Sequence, residues 1–415
     1  MKKSYEIDMC NGPLLGKILV FSVPLMLSGI LQLLFNAADI IVVGRFAGST
    51  ALAAVGSTAS LINLMINVFV GLSVGVNVLA ARYYGGQKEK DIQDTVHTAI
   101  MMAILSGLFL VLLGETASRP MLTLMGTPDD VLDQAALYLK IYFFGMPVLM
   151  IYNFGAALLR AVGDTRRPLY FLFAAGAVNV VLNLFFVIQL GMGVDGVGWA
   201  TVISECVSAG LIIRSLMKER GAMKLHLSKL RIVPEKLKQI IRIGLPAGMQ
   251  GAIFSISNVL IQSSVNSFGS IAMAGNTSSA NIEGFVYTAM NAVYQTSLSF
   301  TSQNLGGKKY SRIDKIKNIC LGVVTVVGLI LGLGAVFSGK RTFKYLFFDP
   351  EVLALWHAQT AYYLRYLFSV RSYGLYGRKF KRSGIFCTSN DRILNRSLRL
   401  PCILDLYDLC FLPDP

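Results

Sequence analysis

The sequence predicts an all-α polytopic membrane protein: a two-lobe transporter of six-helix repeats. Three observations predict it. The chain is 54% hydrophobic and only 15% charged, with a mean hydropathy of +0.58. Its apolar runs are mostly about 18 residues or longer, the length of a membrane-crossing helix. Finally, its landmarks recur at a nearly constant offset. Helices are the economical solution because every backbone polar group in hydrocarbon needs an internal partner. The runs are too long and unbroken for barrel strands of about 10 alternating residues.

Ten apolar segments follow in order: 15–43, 52–80, 95–114, 135–159, 168–190, 196–217, 239–264, 271–301, 316–338 and 354–370. The first carries Pro24 and, deep within it, Asp39. GSTALAAVG (48–56) leads into the second, and YYGGQKEK (83–90) ends it. GDTRRP (163–168) opens the fifth, and Pro246 lies inside the seventh.

The net charge of +15 sits in the loops between these segments, so topology explains it better than nucleic-acid binding. With loops assigned alternately to two sides, one side collects 23 Lys and Arg and the other five. The first side holds the N-terminus and the loops near 81–94, 160–168, 214–242 and 308–317. That asymmetry puts the N-terminus of a multi-pass protein in the cytoplasm. No cleavable signal peptide is expected, because the first apolar segment runs past the length of an h-region.

The basic stretch around 218–238 divides an N-lobe (1–217, helices 1–6) from a C-lobe (239–370, helices 7–10). Pro24, GSTALAAVG and YYGGQKEK in the first answer to Pro246, GSIAMAGNT (269–277) and NLGGKKYS (304–311) in the second. The offset is 222 residues at the proline and 221 at the two Gly motifs. YLKIYFF (138–144) similarly answers to YLRYLFS (363–369). Six helices per repeat give both halves one orientation, a layout of many secondary transporters with a site between the repeats. The repeat then stops. Residues 371–415 form a basic tail with eight Lys or Arg between 371 and 399 and no spanning segment. A reading-frame change near Val370 is the simplest account, a disordered segment foreign to the fold is the expectation, and a genuine regulatory tail is the alternative.

Asp39 is the sharpest chemical signal. An intramembrane charge costs a few kcal/mol or more and marks a functional position facing a cavity. Gln32 and Asn36 fall within roughly 60° of it on the helical wheel. Asn63 and Asn67, and Asn179 and Asn183, recur at helical spacing, and together they are expected to line a hydrated pocket in the first lobe. Desolvation favours the protonated form of a carboxylate and a nearby cation opposes that, so such a group exchanges a proton for a cationic ligand. The competing role is a packing hydrogen bond to Asn36 or another helix, worth about 1 kcal/mol in membranes. The repeat places Leu260 or Ile261 at the second-lobe equivalent, so the carboxylate is not a shared requirement of the fold. Glu205 and Glu283 are the other intramembrane carboxylates. Pro24 and Pro246 bend their helices, as hinges or as static kinks.

Nothing supports an enzyme. GMGVDG (191–196) matches GxGxxG but follows a membrane helix rather than a strand, and no P-loop is present. The six cysteines show no ligand or disulfide spacing, and His97, His226 and His357 stand far apart, so neither metal nor cofactor is expected.

These landmarks resemble the MATE family, the multidrug and toxic compound extrusion transporters. The matching residues are Pro24, Asp39 and VGR (43–45), ALAAVG (51–56), LLRAVGDTRRP (158–168), NVVLNLFFV (179–187), GVGWATVIS (196–204) and TSQNLGG (301–307). The likeness spans residues 13–370. It implies twelve helices, of which about ten are present here, and export of amphipathic, often cationic compounds in exchange for H+ or Na+. It also implies that Glu205 occupies a position often held by Gln, so packing and coupling are both open for it. A second acidic residue on helix five and a Glu on helix seven, known in some members, are replaced by Asn183 and Phe254. The implied partners are membrane lipid and small organic substrates, for a monomer without nucleic acid. Phe35, Tyr142, Met249 and Tyr287 are candidates for the wall of a central cleft, since apolar adaptable walls suit promiscuous binding. A lipid-linked saccharide flippase of related architecture and a non-functional truncated transporter are the alternatives.

Overall fold

The computed structural model describes residues 5–219, 221–266 and 270–346, with backbone alone at residue 49 and over 259–266, 270–283 and 332–346. The apolar segment 354–370 and the basic tail lie outside the described residues. The helices are α1 (Leu14–Phe46), α2 (Ser49–Gly85), α3 (Glu89–Leu124), α4 (Asp129–Phe144), α5 (Met146–Ala161), α6 (Arg166–Leu184), α7 (Val194–Lys218), α8 (Pro234–Asn266), α9 (Ser270–Gly306) and α10 (Tyr310–Leu346). α6 continues into one π-helical turn, Phe185–Gln189. Every described apolar segment is helical, and most helices outrun their segments. The 33 residues of α1 extend about 50 Å, beyond a hydrocarbon core of about 30 Å. Their outer faces present bare side chains such as Leu108, Phe109, Leu112, Phe173 and Val181, as hydrocarbon requires.

One segment departs from expectation. Residues 135–159 are not a single straight span: α4 and α5 meet at a 48° bend at Gly145. Pro147 cannot donate to the carbonyl four residues back, so the helix breaks where Gly-Met-Pro stands.

The N-terminal segment and the α2–α3, α5–α6, α7–α8 and α9–α10 connections gather at one end, here the basic end. The Tyr83 hydroxyl donates to Gln239 at 2.7 Å, Lys236 reaches Asp91, and buried Asn304 donates to the Met9 carbonyl at 3.0 Å. The interlobe linker is shorter than 218–238, because α8 already starts at Pro234. It is docked on α3: the His226 N–H donates to His97 Nε2 (3.3 Å), the Val233 N–H donates to Thr98 (3.1 Å), and Arg231 pairs with Asp94 (2.7 Å).

The lobes close on each other in the half nearer the basic end. Gly71 and Gly75 of α2 meet Gly244 and Gly248 of α8, two GxxxG stripes packed backbone to backbone. The paired Gly loops behave likewise: a Cβ at Gly85 would lie 2.0 Å from the Gln303 carbonyl oxygen, and one at Gly306 1.8 Å from that of Arg82. Buried polar groups fasten this seam. Ser299 donates to Asn77 (2.9 Å), Asn77 donates to the Ala157 carbonyl (3.0 Å), and Gln303 donates to the Ala161 carbonyl (2.6 Å). α1 serves both lobes. Its Ile18 and Phe21 pack with Phe300 and Ile316 of the second, while its later turns pack on α6 of the first. Pro24, buried, lies between these two zones.

Candidate ion-coupling site

The site begins with a close approach. The Phe35 ring lies over Gly176 of α6, where a Cβ would come within 1.7 Å of it. One turn further along α1, Asp39 is buried against the same helix. The Asn183 amide donates both to the Asp39 carboxylate and, at 3.2 Å, to Asn179 Oδ1. Asn179 donates to Thr201 of α7 at 3.4 Å, and Thr201 donates to the Val197 carbonyl at 3.0 Å. A polar chain thus crosses α1, α6 and α7. It ends on an open valence: Asn183 Oδ1 is fully enclosed and receives no donor among the described residues. Tyr138 and Tyr142 of α4 stand within electrostatic reach of Asp39 and of Glu205. Asp39 lies seven residues from the end of α1, about 10 Å along the axis, in the half away from the basic end.

The sequence-derived candidates divide. Asp39, Asn179 and Asn183 come together. Gln32 and Asn36 are exposed and make no hydrogen bond to Asp39, so its polar company is on α6 rather than on its own helix. Asn67 does not face a pocket in the first lobe: it donates to Ser255 of α8 at 2.8 Å, across the seam. Asn63 is exposed. Helical spacing places such residues on one face but does not say which neighbour that face meets. Phe35 and Tyr142 pack within the first lobe rather than on a wall between lobes, because their helices turn them toward α6 and α7. Met249 and Tyr287 are exposed on the second lobe, and Tyr287 stacks on Phe254 with ring centres 5.6 Å apart. Pro246 sits between the two packed glycines of α8. Glu283 lies on α9 where only the backbone is described. Thr201 and Tyr138 lie within GVGWATVIS and YLKIYFF without standing out there, because helical spacing from Asn or Asp cannot reveal groups on other helices. A cavity of about 1600 Å³ opens at the basic end beside Arg167, Arg214 and Glu219, remote from Asp39.

A helical membrane protein in two lobes, with a carboxylate–amide cluster enclosed in one of them, has the architecture of a transporter. The MatE family model matches residues 24–185 and again 246–371, and the chain belongs to the MatE family. The two matches begin at Pro24 and Pro246, so the repeat is that of the family itself, and the second ends where the sequence repeat is lost. Among curated proteins the chain is 28% identical to a probable multidrug resistance protein of Bacillus subtilis, YoeA, over 81% of this chain and 74% of that one. It is 24% identical to an FAD transporter of Shewanella oneidensis, over 82% and 76%. It shares its fold with an outward-facing MATE family multidrug resistance transporter, at a TM-score of 0.79 and 22% identity, over 87% of this chain and 80% of that one.

Proposed function

We propose that the chain is a multidrug efflux antiporter that exports amphipathic organic cations in exchange for H+ or Na+, with Asp39 holding the driving ion. The observation that carries this is the orphaned Asn183 Oδ1 beside a buried carboxylate. A buried acceptor without a donor costs about 1–3 kcal/mol. A proton delivered as a hydroxyl, or a small cation, satisfies both groups at once. A packing bond alone would need neither the charge nor the empty acceptor. Similarity to a named multidrug resistance protein supports the drug reading; the basic loops support a cytoplasmic N-terminus in the bacterial plasma membrane. With the seam closed at the basic end, Asp39 belongs to the half that opens outward.

The test is efflux from proteoliposomes under an imposed proton or sodium gradient. The native chain exports an ethidium-type cation and not a flavin dinucleotide, and Asp39→Asn abolishes gradient-driven export while the protein is still recovered from the membrane. Unchanged export by the Asn variant would remove the coupling role, and flavin export would remove the cationic substrate class.

A further inference from the structure

Glu205 stands one helical turn beyond Thr201 on α7, on the same face. Its Oε2 occupies the notch left by Gly145, 3.2 Å from the point where a Cβ on that glycine would lie. Gly145 is the break between α4 and α5, so the carboxyl lies against the residue at which the chain bends by 48°. Glu205 is half-buried, and no side chain or backbone group among the described residues hydrogen-bonds its carboxyl. The hydroxyls of Tyr138, which is buried, and Tyr142, which is half-buried, also make no hydrogen bond among the described residues. The titratable groups facing this carboxyl are Tyr138 and Tyr142 of α4, with Asp39 of α1 behind them and Cys206 beside it on α7. No Lys or Arg is among them. A carboxylate within the membrane with no cation to answer it marks an ion pathway.

We propose that Glu205 is a second ion-carrying group of the first lobe, forming with Asp39 a two-carboxylate site flanked by Tyr138 and Tyr142. It rests on the antiport reading and deepens it: one exchange cycle moves two unit charges. In the proton form, a proton from water on the open side becomes the O–H of Glu205, and the same proton returns to water on the other side. Neutral Glu205 packs in the Gly145 notch, and ionised Glu205 draws water and the tyrosine hydroxyls, so its charge state bears directly on the α4–α5 bend.

The experiment measures export against external pH and against imposed gradients in proteoliposomes, for the native chain, Glu205→Gln and Glu205→Asp. The native chain shows a Hill coefficient for protons of about two, Glu205→Gln about one with export retained at a lower rate, and Glu205→Asp about two again. Sodium titration gives the same pattern if sodium drives exchange. An unchanged coefficient and an unchanged gradient dependence in Glu205→Gln overturn the proposal and leave Glu205 a packing residue. If Glu205→Gln cannot be purified, infrared titration of the native chain and Glu205→Asp decides. A titrating carboxyl band that moves with the substitution supports the proposal, and identical bands overturn it. Failure of Asp39→Asn to affect export would instead count against the antiport reading itself.

Discussion

Gly71 of α2 and Gly248 of α8 touch through their backbones: a Cβ on Gly71 would lie 2.2 Å from the Gly248 Cα. No side chain fits between the lobes at that level. Overpacking costs about 1–3 kcal/mol, which is roughly a fivefold to hundredfold shift toward an open seam. Gly248→Val is therefore predicted to open the basic end. Cys10 reports it: its sulfur sits half-buried, 3.6 Å from the Gln303 carbonyl oxygen. In a chain whose other cysteines are replaced, maleimide labelling of Cys10 accelerates about tenfold in the Gly248→Val variant. Equal rates would show that the seam does not govern access.

Gln303 and the Ala161 carbonyl are joined at 2.6 Å with Gln303 almost wholly buried. Gln303→Leu leaves that carbonyl without its donor and is predicted to destabilise the closed form by about 1–3 kcal/mol. The measurement is thermal unfolding in detergent, alongside Gln303→Glu, where a carboxylate facing a carbonyl lowers the midpoint further. A midpoint equal to that of the native chain for both variants contradicts the assignment.

Asp164 of the GDTRRP loop is fully buried and pairs with Arg167, which also holds Glu219 at the end of α7. The carboxylate further accepts the backbone N–H groups of Arg166 (3.0 Å) and Arg167 (3.1 Å). Removing the guanidinium leaves a buried charge half-answered, so Arg167→Ala is predicted to cost about 3 kcal/mol. Arg167→Lys recovers part of this, because one ammonium cannot fork between two carboxylates and the Ser215 hydroxyl. Equilibrium unfolding of the three proteins ranks them, and equal stability of Ala and Lys would refute the fork.

Asn183 and Thr201 mark the near and far ends of the amide chain from Asp39. Asn183→Leu removes a hydrogen bond to a charged group, worth about 1.5–3 kcal/mol. Its half-saturating concentration of driving ion is predicted to move tenfold or more: down for protons, because ionised Asp39 loses its donor, and up for sodium, because the cation loses the Asn183 oxygen. Thr201→Val acts only through Asn179, across a long 3.4 Å contact, and is predicted to change it by no more than about threefold. Initial rates over an ion titration check both, and a larger effect at Thr201 would reverse the order of importance.

Much of the fold is legible in the sequence because hydrocarbon enforces it. A run of about 20 apolar residues has few alternatives to a spanning helix, and basic loops record sidedness. The paired prolines and Gly motifs fixed the repeat, which the double family match then reproduced. The broken fourth span was written in Gly145 and Pro147 but hidden by the apolar continuity around them. The roles of the paired glycines were less accessible: turn formation is a local property, whereas the contact of Gly85 with Gln303 joins segments more than 200 residues apart.

The candidate site divides along the same line. Asp39, Asn179 and Asn183 were recognisable because a polar residue in an apolar run is conspicuous wherever its partner lies. Their connection was not, since Asn183 is 144 residues from Asp39 and equal spacing on a helix made Asn36 and Asn67 look as suitable. The sequence by itself determined what must be buried in lipid, which end carries the positive charge, and that one lobe alone keeps an early carboxylate. The tertiary structure alone decided who meets whom: Asp39 with Asn183, Asn67 with Ser255, Glu205 with the notch at Gly145. The physical reason is that periodicity fixes the direction of a side chain about its own helix axis, while hydrogen bonding and close packing depend on which helix stands opposite.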